Sequence, residues 1–235
     1  MTRTAKTLEV KRHFDAVARR YDLMNTILSF GLHHLWKRRT IRLLGLKPGE
    51  RVLDLCGGTG DLARLAAAQV GPEGRVLVYD LNRAMMAVGR PKAARRGLAD
   101  RIHWVEGDAE CLALPDAGVD AVVVGFGVRN LAHLEAGLGE MRRVLKPGGR
   151  LAVLEFSRPT PPLFRRLYDL YSFCLMPRLG QLLAGSREAY TYLITSIREF
   201  PLPETLSRLI LDAGFTSVTY HPLTYGIAVI HLARA

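Results

Sequence analysis

Cysteine is scarce in this 235-residue chain, and its three copies, Cys56, Cys111 and Cys174, include no C-x-x-C pair. An odd number without that spacing argues against a disulfide framework or a zinc site and fits a reducing cytosol. Long apolar runs are missing too. The longest, Ala121 to Val128, is far shorter than the roughly 20 residues that span a bilayer. The N-terminal stretch MTRTAKTLEVKRHF has no apolar segment ahead of a cleavage site, so no secretory signal is expected. Internal repeats and low-complexity tracts are absent, and no pair of histidines has metal-ligand spacing.

What is present in excess is positive charge. Lys and Arg number 33 against 22 Asp and Glu, a formal net charge of +11. The excess is concentrated in the first fifty residues. A field of this sign attracts phosphate-rich partners, either nucleic acid or an anionic membrane surface, whereas the bland reading is a generally basic soluble surface. With 49% hydrophobic and 23% charged residues, the composition is that of a globular chain with one substantial core.

Along the chain, Val10, Phe14, Val17, Ala18 and Tyr21 share one helical face, and a second basic helix spans roughly His33 to Leu44. The texture then changes. RVLDLC (51–56), RVLVYD (75–80), RIHWVEGD (101–108), VDAVVVGF (119–126) and RLAVLEF (150–156) are short apolar runs, with helical patterns at 60–70, 82–97 and 132–146 between them. This alternation predicts an α/β fold with a doubly wound parallel sheet covered on both faces. LKPGG (145–149) reads as a helix end and a turn. The alternation then lapses. SRPTPP breaks the chain, and LFRRLYDLYSFCLM reads as one amphipathic helix with Phe164, Leu167, Tyr168, Tyr171 and Leu175 on a single face. A helix from about Pro203 to Ala213 and a closing strand pair, TSVTYHPL and GIAVIHLARA, complete the chain. A single domain is expected: N-terminal helices over 1–48, a ligand-binding core over 49–156, a helical insertion over 157–200, and a closing helix and strand pair over 201–235.

LDLCGGTGDLA (53–63) sets Gly57, Gly58, Thr59 and Gly60 between a strand and a helix, where glycines allow a tight turn and close approach of a ligand. Asp80 ends the second strand twenty residues on, placed to accept both hydroxyls of a ribose. Gly58-x-Gly60-x-x-Ala63 also satisfies the dinucleotide fingerprint, so the loop alone fits an NAD enzyme or an S-adenosylmethionine enzyme. Two features favour the latter. Asp108 and Ala109 follow the third strand, where a carboxylate and a backbone N–H can take the adenine edge. Asp54 precedes the glycines, placed to orient the loop or a methionine amino group. No Tyr-x-x-x-Lys pair supplies dehydrogenase chemistry.

DLCGGTGDLA, GDAECLALPD, GFGVRN, RVLKPGG and LEFSRP together resemble the UbiE/MenG family of quinone C-methyltransferases. YDLMN (21–25), SFGLHHLWK (29–37), YLITSIREFP (192–201) and LTYGIAVIH (223–231) extend the resemblance over nearly the whole chain. It implies a class I methyltransferase fold, S-adenosylmethionine as cofactor, and Thr59, Asp80, Asp108 and Ala109 as its contacts. Gly125 departs from the serine found in some members, so no side-chain contact is expected there.

The fourth strand runs straight into Arg129 and Asn130. In a doubly wound sheet, its tip lies beside the tip of the first strand, at the point where ligands bind. Methylating a ring carbon needs electron density pushed from an ortho hydroxyl, and a cation or amide aimed at that oxygen stabilises the charge that collects there. Arg129 suits that role, Asn130 can orient the ring, and Tyr21 is a plausible partner from the N-terminal helix; an arginine capping the next helix or pairing with Glu135 is the plain alternative. The proton acceptor stays open among a bound water, His33, His34 and Tyr190. The resemblance further implies a polyprenyl quinol substrate, demethylmenaquinol or a ubiquinone-route benzoquinol. It also implies a cytoplasmic enzyme peripheral to an anionic membrane surface, met by the basic N-terminal helices and the helix at 163–176, with a homo-oligomer left open. Nucleic acid is the rejected partner, because GFGVRN lacks the Asn/Asp-Pro-Pro-aromatic motif of base amino-methylation and no cysteine follows the fourth strand.

Overall fold

Val122, Val123 and Val124 are fully buried, yet their side chains alternate between two separate cores. Leu53, Leu55, Val122, Val124 and Val153 face one apolar cluster, while Val52, Val76, Val78, Val123 and Ala152 face another. Successive strand residues point to opposite faces, so a strand apolar at every position must be covered on both sides. The computed structural model, which describes residues 3–235, shows how this is done.

Three helices come first: α1 (Arg3–Val17), α2 (Tyr21–Leu28) and α3 (Leu32–Leu44). The core follows as β1 (Arg51–Leu55), α4 (Asp61–Val70), β2 (Arg75–Asp80), α5 (Arg83–Ala94), β3 (Ile102–Glu106), β4 (Val119–Gly125), α6 (Leu134–Val144) and β5 (Leu145–Phe156). A helical segment contains α7 (Pro162–Leu170), α8 (Met176–Leu179) and α9 (Arg187–Glu199), and α10 (Pro203–Asp212), β6 (Ser217–Leu223) and β7 (Ala228–Arg234) close the chain. The sheet order is β3-β2-β1-β4-β5-β7-β6, with β7 antiparallel to both its neighbours. Strand order reverses between β1 and β4, where Leu55 pairs with Val124. The two strand tips that the sequence places together are therefore adjacent.

Two expectations are corrected. Residues 145–149 do not end a helix and turn; they open β5, with Leu145 paired to Val119 and a register shift before Ala121. The chain terminus draws them in, because Ala235 donates to the Gly149 carbonyl and accepts from the Gly148 N–H. The amphipathic segment after Pro162 is also not one regular helix. Its backbone widens into π-helical turns at Tyr171–Leu175 and Gly180–Ala184 on either side of α8. Pro177 has no N–H to give the carbonyl four residues back, which favours such a widening. Leu167 and Leu175, on the apolar face of that segment, are exposed.

Candidate active site

The chain leaves β1 through Cys56, in a left-handed conformation at φ 53°, and turns through Gly58 (φ 54°) and Gly60 (φ 73°) into α4. At Gly57 a Cβ would stand 2.9 Å from the Asp54 carboxylate, so glycine is required there by space. The loop is held from both ends by acids. Asp54 accepts the Ala63 N–H at 2.8 Å, anchoring the start of α4. Asp80 accepts the N–H groups of Gly58 at 2.8 Å and Asn82 at 2.7 Å.

These acids line a cavity together with Gly57, Gly58, Thr59, Asp108 and Ala109. Of the seven residues expected to meet the cofactor, only Gly60 is off its wall; it turns the backbone and packs on the Trp104 ring. Burial raises the Asp54 carboxyl to about 7 and the Asp80 carboxyl to about 6. Asp54 Oδ1 is buried with no hydrogen-bond partner among the described residues. An orphaned carboxylate oxygen in company with Asp80 and Asp108 suits a ligand that carries positive charge and hydroxyl donors. S-adenosylmethionine, with its sulfonium, ammonium and ribose diol, has that chemistry. The two lysines on this wall are already taken, Lys37 by Asp61 at 2.7 Å and Lys11 by Glu106 at 3.7 Å, so a pyrophosphate would face three acids, which disfavours the dinucleotide reading.

A second cavity of about 450 Å³ adjoins the first, within the range of about 300–1,000 Å³ for small-molecule sites. Phe14, Tyr21 and Phe126 line both. Its walls are aromatic: Phe126 stacks on Phe156 with ring centroids 4.3 Å apart, and Trp36 meets Phe156 edge-on at 6.2 Å. Phe126 sits at φ 59°, where a bulky residue is strained by about 1–3 kcal/mol. Its neighbours explain how it is held. A Cβ at Gly125 would reach 2.5 Å from Leu62, and one at Gly127 would reach 2.4 Å from Cys56. The tip therefore approaches the glycine loop closely on both sides of Phe126, most tightly at Gly127.

Arg129 and Asn130 diverge from this tip. Asn130 is on the wall of the first cavity and Arg129 on that of the second. Arg129 is buried, and its Nη1 donates to Glu155 Oε1 at 2.8 Å and to the Phe126 carbonyl at 2.5 Å. The guanidinium lies 5.6 Å from the centre of the Phe156 ring. Its acidic partner is thus Glu155 on β5, not Glu135. Asn130 Oδ1 accepts the Tyr192 hydroxyl at 3.0 Å. Tyr21 joins the two cavities. Glu155, Tyr192 and Phe126 were missing from the expected site. For Glu155 a signal existed, a lone acid inside the apolar run RLAVLEF; for Tyr192 there was none.

The N-terminal helices cover the first cavity, with Thr7, Val10, Lys11 and Phe14 on its wall. Polar contacts tie them down. Asp22 Oδ1 accepts the Thr59 hydroxyl at 2.8 Å, and Asp22 also pairs with Lys92 on α5. Asp15 accepts from Asn82 at 3.0 Å. The proton of the Thr59 hydroxyl is therefore committed to α2, while Thr59 stays on the cavity wall. Lys37 of α3 pairs with Asp61 at 2.7 Å.

A cavity suited to a cationic, ribose-bearing ligand where β1 and β4 part, in a sheet closed by an antiparallel β7, marks an S-adenosylmethionine-dependent methyltransferase of class I. More particularly, the chain belongs to the ubiE/COQ5 methyltransferase family, whose model matches residues 1–235. The ubiquinone/menaquinone biosynthesis C-methyltransferase UbiE of Ectopseudomonas mendocina is 51% identical over 96% of this chain and 88% of its own. Among solved structures, a SAM-dependent methyltransferase from Aquifex aeolicus aligns with a TM-score of 0.59 at 20% identity, covering 84% of this chain and 88% of its own. The cyclase SpnF aligns at 0.63 and 20% identity, over 84% and 80%. The same fold therefore carries more than one chemistry, and the particular reaction has to be argued from the site.

Proposed function

We propose that the protein C-methylates the ring of a polyprenyl quinol, demethylmenaquinol first among them. The observation that carries this reading is the meeting of the two cavities at Phe14, Tyr21 and Phe126. One cavity suits S-adenosylmethionine and the other is an aromatic slot for a flat ring. The names of the curated relatives cover both the ubiquinone and the menaquinone route, which favours a benzoquinol as the second substrate.

In this reading Asp80 accepts the ribose hydroxyls, Asp108 and the Ala109 N–H take the adenine edge, and Asp54 with Gly57, Gly58 and Thr59 faces the methionine end. When bound, S-adenosylmethionine supplies a methyl on a sulfonium, whose sulfur keeps the electrons of the broken bond while the ring carbon donates a pair and then loses its hydrogen as a proton. Residues of the chain arrange the ring for this. Phe126 and Phe156 form the stack against which it lies, and Trp36 closes the edge. Arg129, held by Glu155, offers cationic N–H groups towards the ring oxygen on which charge collects; a single donor of this kind contributes about 3–4 kcal/mol. Asn130, locked by Tyr192, orients the ring, and Tyr21 spans the junction. The N-terminal helices act as a lid, excluding water while Asp22 holds Thr59.

The substrate's prenyl tail leaves by the mouth of the second cavity. Phe30, Leu167 and Tyr225 line that cavity and are exposed by 80%, 58% and 68%. Leu163, Leu170 and Leu182 continue the exposed apolar surface, interleaved with exposed Arg165, Arg166 and Arg178. Among the described residues no helix is long and apolar enough to cross a membrane. An apolar, arginine-flanked face supports peripheral contact with anionic lipid. The deciding experiment is turnover of short-chain demethylnaphthoquinol and its benzoquinol counterpart by the purified protein under reducing conditions. A product one methylene heavier is expected from the naphthoquinol, and no product from either ring overturns the reading.

A further inference from the structure

We propose that His33 distinguishes the reduced ring from the oxidised one, its Nδ1 accepting a hydrogen bond from a ring hydroxyl of the quinol. This rests on the quinol reading above and adds to it the group that selects the ring's redox state.

His33 lies on α3, buried at 2% exposure, on the wall of the aromatic cavity. Its tautomer follows from a chain of hydrogen bonds. The Thr26 hydroxyl donates to the Asp22 carbonyl at 2.8 Å, one helical turn back. A hydroxyl has one hydrogen, so with that hydrogen on the Asp22 carbonyl Thr26 Oγ1 accepts from His33 Nε2, which stands 3.1 Å away, and from His34 Nε2 at 3.4 Å. The proton of the neutral ring is therefore on Nε2, and Nδ1 is a lone-pair acceptor. That atom is buried and has no hydrogen-bond partner among the described residues. Neutrality is secure. Burial lowers the imidazole pKa to about 4, the Lys37 and His34 charges push in the same direction, and Asp61 only partly offsets them. A ring so costly to protonate serves as a fixed acceptor and not as a proton sink.

Groups on the wall that only donate, or that can turn, do not discriminate. Burial raises the phenols of Tyr168, Tyr171, Tyr190 and Tyr192, keeping them protonated. Tyr171 donates to the Leu28 carbonyl and Tyr192 to Asn130. Phenols and the Arg129 guanidinium donate equally well to a hydroxyl oxygen and to a carbonyl oxygen. Asn25 can turn its amide to suit either. His13 is stacked on Tyr192 and has Glu9 3.8 Å from its Nε2. Only a fixed lone pair separates the two states: a quinol hydroxyl donates to it, whereas a quinone carbonyl opposes it with lone pairs of its own. Such a filter keeps the oxidised ring, too electron-poor to be methylated, from occupying the site.

The test uses the full chain with S-adenosylmethionine and short-chain demethylnaphthoquinol in micelles, the matching quinone being added as a competitive inhibitor. In the unaltered protein the quinone inhibition constant is expected to exceed the quinol KM at least tenfold. His33→Phe is expected to bring that ratio close to one while S-adenosylmethionine affinity stays within twofold. His33→Asn, whose Oδ1 can stand where Nδ1 was, retains most of the selectivity. Thr26→Val, a nearly isosteric change that frees the tautomer, lowers the ratio severalfold and serves where His33→Phe folds poorly. An unchanged ratio in both His33→Phe and Thr26→Val overturns the proposal while leaving the quinol reading standing. No turnover by the unaltered protein overturns the quinol reading, and this one with it.

Discussion

Glu155 holds Arg129 from behind, its carboxylate oxygens taking the guanidinium Nη1 at 2.8 Å and the Arg129 backbone N–H at 3.3 Å. The side chains of the pair are only 5% and 2% exposed. A further N–H, that of Phe156, reaches Glu155 Oε1 at 2.9 Å, so the acid is fixed before it fixes the arginine. Arg129 thus presents an aimed guanidinium whose charge is already balanced, so in the proposed reaction it would act on the ring oxygen through its N–H groups and not through a free positive charge.

Removing one member of this pair leaves a buried charge alone, a loss of about 3–5 kcal/mol. Glu155→Ala is expected to lose that much in urea denaturation and to lose turnover as well. Arg129→Met combined with Glu155→Met is expected to recover most of the stability and none of the activity. Arg129→Ala keeps S-adenosylmethionine affinity, because Arg129 lines the other cavity, and near-normal kcat in that variant would place it outside the chemistry.

Much of this was legible in the chain because parallel strands buried on both faces must be apolar at every position. The five apolar runs, the glycine loop and Asp80 each follow from local constraints. The Arg129–Glu155 pair does not, because it joins the turn after β4 to the adjacent strand β5 through residues 26 apart in sequence. Tyr192 reaches Asn130 across 62 residues, from a helix whose placement depends on the irregular turns before it. The irregularity was hidden by a clean apolar stripe that ignored Pro177. The extended course of 145–149 depends on pairing with the far C-terminus, which no local pattern records.

Acidity separates stability from binding. Burial lifts Asp80 to about 6 and Asp54 to about 7. A carboxyl whose folded pKa lies above its unfolded value binds more protons when folded, so these groups make the ligand-free protein more stable as pH falls from about 7 towards 4. S-adenosylmethionine needs the same carboxylates ionised, and its affinity is expected to begin falling near pH 7 and to fall by up to about a hundredfold per pH unit below about 6, where both groups are protonated. Ligand-induced shifts in Tm therefore shrink on acidification. Calorimetric titrations between pH 5 and 8 check this, and Asp80→Asn is expected to bind weakly with a flatter acid limb.

Asp22 fastens α2 to both Thr59 and Lys92. The ion pair is partly exposed and contributes at most about 1 kcal/mol, with a comparable amount from the hydroxyl bond. Asp22→Leu is therefore expected to release S-adenosylmethionine roughly 5–30-fold faster, with little change in its association rate. Stopped-flow dissociation measures the effect directly. An unchanged rate would mean that the cofactor leaves by a route these helices do not close.

The outer apolar side chains of the helical segment give the membrane reading its own test. Leu163, Leu170 and Leu182 are 73%, 63% and 77% exposed and do not line either cavity. Burying such a side chain fully is worth about 1.5–3 kcal/mol, and partial insertion of three is enough to change vesicle partitioning by about a hundredfold. The triple serine variant is expected to float free of anionic vesicles that retain the parent protein at low salt. Turnover of a short-chain quinol in solution should persist, while turnover of a long-chain quinol embedded in vesicles should collapse. Because arginines flank these residues, raising salt should weaken the parent's binding as well, leaving the apolar part to hold what remains. Equal retention of variant and parent would move the contact surface elsewhere on the molecule and leave the two-cavity chemistry intact.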